Sequence, residues 1–189
     1  MRHRLQNSFG DDVKNDYEVI GEPVDLSGAR ALAKLNRHQF ELWALGLVGA
    51  RPAEKKKGAD KGIDGRLYFH DDPKSKSKQI IISVKSGHTG VSHIRDLRGV
   101  LEREKADIGV LITLEKPTKP MRAEAAGAGF YESKTWNTKH HFLQILTIED
   151  LLSGKSIDCP PYQQVSTTFK KAPRKKSETK DTQNNLNLD

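Results

Sequence analysis

Residues 58–87 constrain the fold more than any other part of this 189-residue chain. They contain Gly-Ile-Asp-Gly-Arg-Leu-Tyr-Phe (62–69), a polar lysine-rich turn, and then Gln-Ile-Ile-Ile-Ser-Val-Lys (79–85). Two short β-like runs on either side of a turn signal predict an antiparallel hairpin. Side chains alternate between the two faces of a strand, so each run should have one apolar and one polar face.

The alternation places an acid and a lysine together on the polar face of this hairpin. The apolar face is predicted to hold the following side chains: Ile63, Leu67 and Phe69 from the first run, and Ile80, Ile82 and Val84 from the second. Asp64 at the start of one strand and Lys85 near the end of the next then project to the other side. An acid and a lysine in this arrangement are parts of a metal-dependent phosphodiesterase site. Asp64, with Gly62 and Gly65 close by, is also typical of an ordinary turn.

Composition indicates a basic protein with one packed domain and unpacked ends. The hydrophobic fraction is 35%, the mean hydropathy is −0.69, and the net charge is +7 with a pI near 9.4. This charge favours a polyanionic partner, nucleic acid before membrane. The single cysteine, Cys159, excludes an internal disulfide and suits a reducing compartment. No apolar run approaches the length of a membrane span, so we expect a cytoplasmic protein without a membrane partner.

The order of predicted elements indicates an α/β sandwich. Residues 1–26 are predicted to be a polar leader with a short extended segment, 27–157 the domain, and 158–189 a disordered basic tail. The first helix should run from the cap Ser27 to Leu47, with its apolar stripe formed by Leu32, Leu35, Phe40, Trp43 and Leu47. After the hairpin, the predicted elements are a helix at 92–105, a strand at 108–114, a helix at 117–128, a strand at 142–146 and a helix at 148–152. This order predicts a mixed central sheet with an antiparallel hairpin, flanked by helices.

At Asp64 and Lys85 the sequence resembles a known family. Gly-Ile-Asp-Gly, a hairpin, and Ile-Ser-Val-Lys-Ser-Gly look like the core of the PD-(D/E)xK nucleases, most of all the Mrr-type (type IV) restriction endonucleases. The resemblance covers about residues 30–152. The segment 58–87 and Arg95-Asp-Leu-Arg-Gly also resemble nuclease regions attached to DNA methyltransferases. The resemblance implies a restriction-endonuclease-like fold, duplex DNA as partner, a DNA methyltransferase as a further partner, and a homodimer for cutting both strands.

The resemblance also implies roles for individual residues. Phosphodiester hydrolysis of this type uses a divalent cation, and oxygen ligands select Mg²⁺ or Mn²⁺. Asp64 would bridge the metal, the Val84 carbonyl would add a ligand, and Glu41 would be the acid from the first helix. Lys85 would orient the attacking water or stabilise the phosphate. The family has Glu, Asp or Gln two residues before the lysine, whereas this chain has Ser83. Its hydroxyl is a poor ligand for Mg²⁺ but can hold a coordinated water, so Ser83 is a candidate catalytic residue as well.

Basic residues around the predicted site are candidates for phosphate contacts. They are Lys55, Lys56, Lys57, Lys61, Arg95 and Arg98. Such contacts add salt-dependent affinity without reading sequence, and the same residues are also typical of a solvated surface. The histidines at 88, 93, 140 and 141 form no recognisable metal motif and are interpreted as structural or surface residues. Three hypotheses stay open: a metal-dependent DNA endonuclease, an inactive DNA-binding module on the same fold, and a basic RNA-binding protein.

Overall fold

The computed structural model describes residues 21–53, 62–71 and 77–160, which form five helices and seven strands. The helices are α1 (Leu26–Leu35), α2 (Arg37–Leu47), α3 (Val91–Glu104), α4 (Lys119–Ala126) and α5 (Ile148–Leu152). The strands are β1 (Arg51–Pro52), β2 (Gly65–Phe69), β3 (Lys78–Lys85), β4 (Ile108–Thr113), β5 (Phe130–Ser133), β6 (Thr138–His141) and β7 (Leu143–Thr147). Within these ranges, no helix has both the length and the apolar character needed to cross a membrane.

A mixed sheet in the order β1-β2-β3-β4-β7 forms the centre of the fold. β1, β2 and β3 pair antiparallel, so the predicted hairpin is present, whereas β3, β4 and β7 pair parallel. Lys85 pairs with Thr113, and Thr113 pairs with Thr147. The carboxyl ends of three strands therefore meet at one edge of the sheet. The start of β2 lies at the same edge, because Gly65 pairs with Ile82.

Helices cover both faces of this sheet and produce two hydrophobic cores. One core packs α1, α2 and α5 against side chains such as Leu67, Ile80 and Ile82. The other packs α3 and α4 against Ile81 and Leu111. All six residues of β4 are buried, as expected for a strand covered on both faces. The predicted α/β sandwich with a mixed sheet is confirmed.

The first predicted helix is in fact two helices. Asn36 adopts an extended conformation with φ −154° and ψ 102°, and its side chain caps α2 by accepting from the backbone N–H of Gln39 at 3.0 Å. Asp25, not Ser27, caps α1. Because the break changes the direction of the chain, one continuous apolar stripe cannot form. Leu35 is consequently 85% exposed instead of buried, and Leu47 is also exposed.

Ile63 packs on the opposite side of the sheet from the one predicted. It belongs to the core beneath α3 and α4, whereas Leu67 and Phe69 belong to the other core. β2 begins only at Gly65, and Gly62 has a positive φ of 71°, so the alternation of the strand does not extend back to Ile63. The position of this turn decides which core receives the side chain.

The hairpin of β5 and β6 was not predicted. It forms a separate two-stranded sheet, and Asp71 anchors it to the far end of β2 by accepting from the Tyr131 hydroxyl at 2.8 Å and from the Ser133 hydroxyl. Burial, together with the bond to Asp71, raises the pKa of Tyr131 well above its ordinary value. Phe69 adds an edge-to-face contact with the Tyr131 ring, at 5.7 Å between ring centroids. The hairpin is thus fixed to the main sheet by its inner face.

Thr113→Val is expected to raise the free energy of unfolding by about 1 kcal/mol. Thr113 is fully buried, and its hydroxyl has no hydrogen-bond partner among the described residues. Valine keeps the branched shape and removes the polar group that folding takes out of water. Urea unfolding of the two proteins measures the difference. A loss of stability would mean that the hydroxyl has a partner, such as a bound water.

Candidate functional site

Asp64 is held at the start of β2 by the end of β3. Its carboxylate oxygen Oδ2 accepts hydrogen bonds from the Val84 backbone N–H at 2.7 Å and from the Ser83 hydroxyl at 3.1 Å. The Lys85 ammonium lies 3.5 Å from the same oxygen. The Asp64 side chain is only 10% exposed. The structure therefore brings together Asp64, Ser83, Val84 and Lys85. Asp64 lies just before β2 and is positioned by its bonds to β3, not by the alternation of a strand.

The glycine that follows Asp64 allows this approach. A Cβ on Gly65 would collide with the Leu45 side chain of α2 and would lie 3.1 Å from the Arg51 carbonyl oxygen. Leu45 is fully buried and has little room to move. Glycine thus lets β2 pass close beneath α2, which positions Asp64 against β3. This packing explains the Asp-Gly pair in the sequence.

A cavity of about 360 Å³ opens beside Lys85 at the carboxyl end of β3. Its polar lining comes from the first two turns of α2, the end of β3, the loop that follows and the first turn of α3: Arg37, Glu41, Lys85, Ser86, His88 and His93. Glu41 and Lys85 thus line the same cavity, and the role of Glu41 as the acid of the site stays a prediction. Asp64 does not line the cavity.

Sequence reasoning missed Arg37 and assigned His93 only a structural or surface role. Arg37 donates from Nε to the Ser86 hydroxyl at 3.4 Å, and its guanidinium packs against Gly87, where a Cβ would lie 3.1 Å from Nη2. The signal for Arg37 was its position four residues before Glu41, which places both on one helix face. No comparable signal marks His93, since its contact to the start of its own helix is set by the loop conformation.

The donor set around Asp64 does not fit a divalent metal as it stands. Oδ2 of Asp64 already accepts from Ser83 and Val84, and a hydroxyl occupies the position where the resemblance implies a second acid or amide. Within 21–53, 62–71 and 77–160, no group of three or more His, Cys, Asp or Glu residues is arranged to hold a metal ion. The Mg²⁺ or Mn²⁺ site on Asp64, Glu41 and the Val84 carbonyl stays a prediction that this arrangement does not favour.

The other predicted phosphate contacts are placed as follows. Lys55, Lys56, Lys57 and Lys61 lie outside the described residues. Arg95 donates to both carboxylate oxygens of Glu124 at 3.1 Å, and this bond lowers the pKa of Glu124. Arg98 pairs with Glu102 at 3.2 Å. Both arginines are exposed on α3 and pair with carboxylates that compete with a phosphate, so their DNA contacts stay predictions.

Two solved structures are similar to this chain. The DNA modification-dependent restriction endonuclease AspBHI matches with a TM-score of 0.51 and 21% identity, over 68% of this chain and 33% of its own. The MspJI restriction endonuclease in complex with a 27-mer oligonucleotide matches with a TM-score of 0.48 and 17% identity, over 74% of this chain and 32% of its own. The chain thus spans about a third of either structure. The likeness to AspBHI shows a restriction-endonuclease-like fold and nothing more specific. No curated protein matches the chain.

A family model covers most of the described domain. It matches residues 37–153, from the first residue of α2 to just beyond α5, and so includes Asp64, Ser83 and Lys85. The family's description calls the endonuclease inactive. The chain belongs to the family described as NACHT-associated inactive Restriction Endonuclease 1.

Proposed function

We propose that this domain binds duplex DNA without hydrolysing it. One observation carries the proposal: the Ser83 hydroxyl donates to Asp64 Oδ2 where the resemblance to active nucleases implies a second metal-binding side chain. Asp64 here accepts hydrogen bonds that fix β2 to β3, which is a structural role. The description of the family as inactive supports the same conclusion.

DNA binding is supported by the charge of the chain and by the composition of the cavity. The chain carries a net charge of +7. Arg37 and Lys85 lie in a concave site at the sheet edge where three strand ends meet. Phosphate contacts of this kind position a protein on nucleic acid and give binding that weakens steeply with salt. A preference for RNA over duplex DNA in competition would favour the third hypothesis instead.

A metal-dependent endonuclease of the Mrr type is the second candidate. It is favoured by the contact of Lys85 with Asp64 at 3.5 Å and by the presence of Glu41 in the cavity that Lys85 lines. Mg²⁺ or Mn²⁺ on Asp64, Glu41 and the Val84 carbonyl would have to share the Asp64 carboxylate with Ser83 and Val84, which both donate to its Oδ2.

Plasmid cleavage distinguishes the two candidates. We expect no nicking of supercoiled plasmid, methylated or unmethylated, with Mg²⁺ or Mn²⁺, by the wild type or by Lys85→Ala. Fluorescence anisotropy should still detect binding of a labelled duplex by the wild type, with affinity falling as salt increases. Metal-dependent nicking that Lys85→Ala abolishes would overturn the proposal, whereas equal nicking by both proteins indicates a contaminating nuclease.

The description of the family also suggests a partner. We propose a NACHT-containing protein, by extension from the association that the family's description records, as an alternative to the DNA methyltransferase predicted from sequence. Co-expression with a candidate of each class, followed by size-exclusion chromatography, separates these possibilities. The same column tests the predicted homodimer, and elution as a monomer at all concentrations would contradict it.

A further inference from the structure

Three side chains that can donate to an anion converge on the cavity beside β3 from three different elements. Arg37 comes from the start of α2, Lys85 from the end of β3 and His93 from the first turn of α3. We infer that this cavity is a phosphate-binding site that works without a metal ion, built by Arg37, Lys85 and His93. The inference rests on the proposed function and deepens it, because it names the group that the domain would hold and the residues that hold it.

Arg37 is positioned before any ligand binds. The Ser86 hydroxyl accepts from its Nε, and Gly87 gives the guanidinium space against the backbone of the loop. This hydrogen bond uses one of the five N–H donors of the guanidinium. Arg37 is also the first residue of an 11-residue helix, whose amino end favours negative charge. A phosphate at this point would meet a planar donor set that suits two of its oxygens.

The ring nitrogen of His93 that can donate a hydrogen bond to an anion is fixed by the contact of the other ring nitrogen. Its Nδ1 accepts a hydrogen bond from the backbone N–H of Gly90 at 3.2 Å, at the start of α3. A neutral imidazole carries its proton on one ring nitrogen only, so this bond places the proton on Nε2. His93 therefore supplies an N–H donor in its neutral form and needs no protonation to bind an anion.

The acids near the cavity separate this inference from a metal site. Glu41 lines the cavity, 3.9 Å from His38, and Asp64 lies 3.5 Å from the Lys85 ammonium. If a metal ion mediates phosphate binding, both carboxylates are ligands and their removal abolishes binding. If the cations bind phosphate directly, both carboxylates repel the ligand, and their removal strengthens binding. The two mechanisms thus predict opposite signs for the same substitutions.

The experiment is a titration with inorganic phosphate and with a short DNA duplex, each with and without EDTA. Arg37→Gln is expected to weaken phosphate binding about tenfold, the loss expected for a hydrogen bond to a charged group. Asp64→Asn and Glu41→Gln are each expected to strengthen it by about two- to fivefold, from the repulsion that is removed. EDTA should change nothing. Arg103→Gln, which removes the same charge at the far end of α3, is the control and should leave phosphate affinity unchanged. Thermal melting of each variant confirms that it is folded.

The possible failures are distinguishable. Loss of phosphate binding with EDTA, or in Asp64→Asn, overturns the inference in favour of a metal site. Duplex binding that Arg37→Gln does not alter, with no binding of inorganic phosphate, overturns the inference and leaves the proposed function standing. Phosphate binding that responds as predicted, without duplex binding, supports the inference and overturns the proposed function. Comparing duplexes with and without 5′-phosphates then shows whether the site takes a terminal monoester or the backbone diester.

Discussion

Asp64→Ala is expected to lower the free energy of unfolding by about 3 kcal/mol. The substitution leaves the backbone N–H of Val84 and the hydroxyl of Ser83 without their acceptor. Both residues are buried, at 7% and 5% exposure, so water does not replace the lost bonds fully. The Lys85 ammonium loses its ion pair as well. Each of these losses falls on the contact between the start of β2 and the end of β3.

The sign of this change separates a structural from a catalytic carboxylate. Active sites are commonly kept at a cost in stability, so removing a catalytic acid often stabilises an enzyme. Urea unfolding of the wild type, Asp64→Ala and Asp64→Asn provides the measurement. Asparagine keeps an oxygen that can accept from Val84, so Asp64→Asn should lower the free energy of unfolding by only about 1 kcal/mol. Asp96→Ala, at an exposed position on α3, is the matched control and should stay within about 0.5 kcal/mol. An unchanged or raised stability in Asp64→Ala would contradict the structural role.

The sheet could be predicted because its strands carry strong local signals. The run Ile108–Thr113 is continuously apolar, which is typical of a strand buried on both faces. The hairpin of β2 and β3 follows from two alternating runs around a polar turn. The hairpin of β5 and β6 could not be predicted in the same way, because its anchor is Asp71, about 60 residues earlier in the chain. The break between α1 and α2 was missed because Asn36 ends one helix and caps the next without a glycine or proline.

The residues of the candidate site also differ in whether a local sequence pattern could predict them. Lys85 was found because it lies on a strand whose alternation fixes the direction of its side chain. Asp64 lies just before β2, and its bonds to Ser83 and Val84 bring it to the same place. Glu41 was found through the expected helix and lies on α2, which packs near the end of β3. Arg37 joins the site through its contact with Ser86, 49 residues later in sequence. Its role depends on tertiary packing, which no local pattern encodes.

Ser83→Glu is expected to convert the Asp64 cluster into a metal-binding pair. The substitution adds a second carboxylate on the side chain that now contacts Asp64 Oδ2 through the Ser83 hydroxyl. Without metal, two carboxylates close together in this buried place repel each other, and the free energy of unfolding should fall by about 3 kcal/mol. A divalent cation neutralises both charges and binds only the folded state. With Mn²⁺ at a hundred times its dissociation constant, about 2.7 kcal/mol should be recovered.

Thermal melting with and without Mn²⁺ tests this expectation, and Ser83→Gln is the matched control. Glutamine has nearly the same size and no charge, so its melting temperature should not respond to Mn²⁺, and neither should that of the wild type. Mn²⁺-dependent stabilisation confined to Ser83→Glu would identify the residue at position 83 as the difference between this site and a metal site. Destabilisation of Ser83→Glu without recovery by Mn²⁺ would contradict that assignment. The failure to bind Mn²⁺ would then be attributed to Glu41, the third carboxylate of the predicted site, which lines the cavity whereas Asp64 does not.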